Sequence, residues 1–153
     1  MRIFPWQKSK EFFSPDQQAR LVAAIRAAEQ RTSGEVRVYV ESHCKFVDAI
    51  DRARELFFEL GMERTEARNA TLLYVAVTDH QAAVFGDEGI HRKVGQQYWQ
   101  ETVAGMLHEF RHEHLVEGMC LGIARLGEAL HHFFPYDHET DKNELPDDIV
   151  FGK

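Results

Sequence analysis

The chain has 153 residues, enough for one hydrophobic core and too few for two domains of ordinary size, so one folded domain is expected. With 28% charged and 44% hydrophobic residues, Gly 10 and Pro 4, it is not composed like a disordered or fibrous chain. The net charge of -7, from 25 acidic and 18 basic residues, argues against nucleic acid as a partner.

The opening MRIFPWQKSKEFF has no continuous apolar region and no small-residue cleavage site, and no stretch approaches 18 apolar residues. Direct membrane insertion is therefore not expected, and a cytoplasmic location is. Ser14, Pro15 and Gln17 predict a helix start, with serine as the cap, proline at the first helical position and glutamine closing a capping box. Leu21, Ala24, Ile25 and Ala28 form one stripe of that helix, which ends near Ser33-Gly34. Glu35 to Val40 then alternates, with Val36, Val38 and Val40 on one face of a predicted strand.

Ala49, Ala53, Leu56, Phe57 and Leu60 predict a second helix, its apolar stripe interrupted only by Arg52 and its end marked by Gly61. Ala70 to Val77 is nearly continuous apolar sequence, as expected of a strand covered on both faces. Strand, helix and strand make a crossover, so these two strands should run parallel. Thr78 to Gln81 is too short for another crossover. The strand Ala82 to Phe85 must return antiparallel, and the sheet is mixed.

From His91 the pattern is helical, with Trp99, Val103, Met106, Leu107 and Phe110 on one face, and a further helix follows from Leu115 to Phe133. Gly118, Gly122 and Gly127 inside the latter point to close packing. The folded domain is expected over 13–135. The remainder, 136–153, reads as an acidic polar tail in which Ile149 to Phe151 could pack back onto the body. Cys44 and Cys120 read as reduced cysteines in a strand and a helix, without a CxxC motif.

His108-Glu109-Phe110-Arg111-His112 matches HExxH, the helix on which many zinc hydrolases hold their metal. At 100° per residue, however, His108 and His112 fall roughly 140° to 180° from Val103, on the solvent side of the helix. Asp79 and the Gly86-Asp87-Glu88-Gly89 loop offer another chemistry. Carboxylates and loop carbonyls are the oxygen donors that hard divalent cations require, with Glu35 a further candidate. The alternative is structural: Asp79 forms a turn, and Asp87 and Glu88 satisfy the free amides of the helix that follows.

Ser33-Gly34-Glu35-Val36-Arg37-Val38, Leu72 to Val77, Asp79-His80, Phe85 to Ile90, Trp99, and Gly118 through Gly122 to Phe134-Pro135 occur in an order and spacing that resemble the TPM domain family. That family takes in the thylakoid lumen 18.3 kDa protein and photosystem II repair proteins. The resemblance implies a three-layer α/β/α sandwich, loosely Rossmann-like. It also implies a divalent cation, calcium before magnesium or zinc, at the positions of Glu35, Asp79 and Asp87, and the oxygen donors of the loop add Glu88 to that set. A binding domain for this ion and for a protein partner is the expected function. Metal-assisted phosphomonoester hydrolysis is the alternative that the resemblance brings.

Overall fold

The structure, a computed structural model, describes residues 12–136 and 149–152. The first helix, α1 (Pro15–Glu29), begins as its sequence requires. The Ser14 hydroxyl accepts from the Gln17 amide at 3.2 Å, and the Gln17 side chain accepts from the Ser14 amide at 2.9 Å. Leu21, Ile25 and Ala28 are its buried stripe.

β1 (Glu35–Glu41), α2 (Ala49–Glu59) and β2 (Ala70–Ala76) form the crossover, and the two strands pair in parallel from Glu35 against Ala70 to Glu41 against Ala76. Every residue of β2 is buried, because helices cover both faces of the sheet. β3 (Gln81–Gly86) returns antiparallel on β2. A fourth strand, β4 (Ile149–Phe151), pairs in parallel with β1, so the sheet order is β3-β2-β1-β4. The segment Ile149 to Phe151 thus belongs to the sheet, and Phe151 stacks on Phe12 at 5.9 Å. The acidic residues of the expected tail, 137–148, lie outside the described residues.

The alternation of side chains across the sheet divides the core in two. Val36, Val38, Val40, Leu73, Val75 and Val84 face α1 and three later helices: α3 (Glu88–Val94), α4 (Gln96–Arg111) and α5 (Leu115–Phe133). Leu72, Tyr74, Ala76 and Ala83 face α2 with its Ala53, Leu56 and Phe57. Five helices and four strands among the described residues therefore make the expected three layers. The α5 glycines let it approach its neighbours. A Cβ at Gly127 would stand 2.8 Å from the Ala28 Cβ, and one at Gly122 2.6 Å from Met106 Sδ.

Two local expectations change. The helix expected to run on from His91 is broken at Gly95, whose φ of 86° and ψ of 160° separate α3 from α4. Cys44 is not in a strand, because β1 ends at Glu41 and residues 42–48 form the loop into α2. No helix among the described residues is long and apolar enough to cross a membrane.

Candidate functional site

Hairpin geometry separates the carboxylates expected to share a cation. Asp79 lies in the turn beyond Ala76 and Gln81, whereas Asp87 lies beside Ala70, whose carbonyl accepts its amide at 2.9 Å. Six residues of strand intervene, or about 20 Å. Glu35 is level with Asp87 but two strands away, about 10 Å across the sheet. The four residues thus stand at two ends of the sheet. Glu35, Asp87 and Glu88 are at the amino ends of β1 and β2, and Asp79 is at the carboxyl ends.

At the amino ends Asp87 has a structural part. It is buried and caps α3 by accepting from the Glu88 amide at 2.8 Å. Arg68, held in the left-handed region at φ 52°, donates to it through Nε at 2.6 Å and Nη2 at 2.8 Å. Glu88 is half exposed and stands between Arg68 at 3.4 Å and Arg92 at 3.6 Å. Glu35 is buried, with its amide on the Asn69 carbonyl and its own carbonyl accepting from the Thr71 hydroxyl. Arginine therefore neutralises Asp87 where a cation would have to bind. The partnership spans 19 residues and leaves no local signal in the sequence.

At the carboxyl ends Asp79 is held differently. Its Oδ1 accepts from His43 Nδ1 at 2.9 Å and its Oδ2 from the Cys44 amide at 2.7 Å, while its side chain remains 29% exposed. The His43 hydrogen bond, and after it that of the Cys44 amide, holds the carboxyl below its ordinary range. The Cys44 thiol lies 3.6 Å from the Phe46 carbonyl in the same loop. In open α/β sheets this end of the strands is where ligands bind.

The depressed carboxyl gives stability a pH dependence of definite sign. Asp79 contributes fully above the unfolded carboxylate value of about 4, and the contribution is lost as pH falls through the lower folded value. Asp79→Asn is accordingly expected to flatten the acid limb of stability below about pH 4, with carboxyl-carbon NMR following Asp79 directly. An Asp79 that titrates at the ordinary value would contradict this.

Beneath the same end lies a polar cluster that the sequence reading did not identify. Glu41 accepts from Arg52 Nε and Nη2, both at 3.0 Å, and from the buried Tyr74 hydroxyl. The bond to Glu41 raises the Arg52 pKa, while burial and then the same carboxylate raise that of Tyr74. The signal was Arg52 itself, a lone charge in the apolar stripe of α2.

A family model for the TPM domain matches residues 7–129. The chain belongs to the TPM domain family. The solved structures similar to this TPM domain include the NMR structure of the BA42 protein from the psychrophilic bacterium Bizionia argentinensis. The two are 36% identical, with a TM-score of 0.82, over 92% of this chain and 96% of that one. No curated protein matches the chain.

The HExxH segment of this TPM domain lies on the outer side of α4. His108 and His112 are exposed, with ring centres 4.7 Å apart. Nδ1 of His112 is 2.8 Å from the His108 carbonyl, and Glu109 is engaged with His114 at 3.0 Å. Among the described residues no group of three or more His, Cys, Asp or Glu side chains is placed to hold a metal ion.

Proposed function

We propose that this TPM domain is a binding domain that takes up a divalent cation, calcium in preference to magnesium or zinc, at the carboxyl ends of β1 and β2. The observation that carries this reading is the state of Asp79: exposed, held ionised and hydrogen-bonded by His43 and a backbone amide, with no arginine on it among the described residues. Each carboxylate oxygen can accept more than one contact, so both retain room for an ion. Carbonyls of the 42–48 loop and water would complete the oxygen shell that calcium prefers. With one carboxylate the affinity is expected to be weak, with Kd on the order of 10⁻³ M.

One observation favours metal-assisted phosphomonoester hydrolysis as a second reading. The Asp79 carboxylate orients the His43 ring through Nδ1, leaving Nε2 to exchange a proton with a substrate. Here the ion would offset phosphate charge, and turnover would require it.

Titration of the protein with calcium, magnesium and zinc, followed by NMR, tests both. Calcium is expected to shift the Cys44 amide, whose hydrogen ends on Asp79, and Asp79→Asn is expected to weaken binding at least tenfold. Unchanged calcium binding in that variant would sink the cation site. Hydrolysis of p-nitrophenyl phosphate that depends on the ion and on His43 would favour the second reading over the first.

A further inference from the structure

The outer edge of β3 has no strand partner among the described residues, and it forms the floor of a groove of about 760 Å³. The Asp87 amide donates to Ala70, so in this antiparallel register the hydrogen-bonded pairs are those of Asp87, Phe85, Ala83 and Gln81. The amides and carbonyls of Ala82, Val84 and Gly86 therefore point away from β2, into the groove. All three residues are nonetheless buried, because α2 and α4 rise on either side of the strand.

The walls are apolar where they face the strand edge. Ile50 and Phe58 of α2 are 39% and 49% exposed, and Trp99, Val103 and Leu107 of α4 stand opposite. Phe46 and Val47, 39% and 95% exposed, continue the apolar surface beyond Asp48 at one end of the groove. Exposed apolar side chains gathered on one strip of surface mark an interaction site rather than ordinary scatter. The α2 wall also carries a charge. Arg54 is exposed, lies over the Phe85 ring at 5.9 Å, and has no carboxylate partner among the described residues.

We propose that this groove binds an extended peptide segment of a partner protein, which adds to the sheet as a strand beside β3 and presents a carboxylate to Arg54. The backbone of the segment would pair with Ala82, Val84 and Gly86, and its alternate side chains would enter the two apolar walls. The recessed edge selects this occupant over a second copy of the chain. Two such edges, each set between helices, cannot approach to the roughly 4.8 Å that strand pairing requires, whereas a single strand can enter. Asp79 has no part in this, so the groove and the cation site stand or fall separately.

A displayed library of random heptapeptides, selected on the intact protein, tests the proposal. The expected peptides alternate apolar residues and carry a central aspartate or glutamate. Their binding is expected to slow hydrogen exchange at the amides of Ala82, Val84 and Gly86, which in the free protein exchange faster than those of Ala83 and Phe85. Arg54→Glu, at an exposed position, is expected to keep the thermal midpoint and weaken the selected peptides at least tenfold. Proline at the peptide's central pairing position should do the same. Failure to enrich any peptide, or enriched peptides that leave these three amides unprotected, would overturn the proposal. So would a dimer that protects them without peptide, since it would give the edge to a second copy.

Discussion

Glu41→Ala is expected to remove about 3–5 kcal/mol of stability, the cost of breaking a buried ion pair from one side. For a chain of this length that lowers Tm by roughly 10 °C or more. Glu41 is 6% exposed and the Arg52 side chain 20%, so water does little to compensate either. Loss of the carboxylate leaves two guanidinium donors and the Tyr74 hydroxyl without their acceptor. Glu55, 3.5 Å from Arg52 Nη1, can recover part of the guanidinium's pairing but none of the tyrosine's. Tyr74→Phe removes a single hydrogen bond and should cost only about 1–2 kcal/mol. The double replacement Glu41→Leu with Arg52→Met is expected to restore most of the loss, because an apolar pair leaves no buried charge. Urea unfolding of the four proteins decides it. A Glu41→Ala variant within 1 kcal/mol of wild type would show that the cluster is solvated in solution.

The secondary structure was legible where local chemistry set it. The capping box at Ser14, the alternation of β1 and the unbroken apolar run of β2 each correspond to a formed element. What was missed depended on distance or on a single backbone angle. β4 pairs across more than a hundred residues, with Tyr39 against Val150, and three apolar residues in a polar stretch cannot name that partner. Gly95 stands in a run that reads as helix, and only its positive φ makes it a break. Two further features are legible in the sequence itself. A hairpin must put its turn and the far end of its return strand at opposite ends of a sheet, so Asp79 and Asp87 could never share one ion. A lone arginine in an apolar stripe likewise requires a buried carboxylate, and Glu41 at the end of β1 was available to supply it.

Gly89→Ala is expected to cost about 2–3 kcal/mol, at the upper end for an inserted methyl group. A Cβ there would lie 2.2 Å from the Ala67 carbonyl oxygen and 2.6 Å from that of Arg68. Both are backbone atoms, so no side-chain rotation relieves the contact. The Gly89 amide also donates to the Arg68 carbonyl at 2.8 Å, so moving the chain apart breaks a bond as well. Displacing this turn carries Arg68 with it and loosens the paired hydrogen bonds that hold Asp87 over the start of α3. Faster amide exchange along α3 should accompany the fall in Tm. The glycine that ends the Gly86-to-Gly89 loop is thus required by close packing of backbone on backbone, where a cation-binding loop would need it for ligand access. Calcium binding measured on folded Gly89→Ala at low temperature separates the two. Binding at Asp79 should persist while stability drops, whereas stability unchanged and calcium binding lost would move the ion to Asp87.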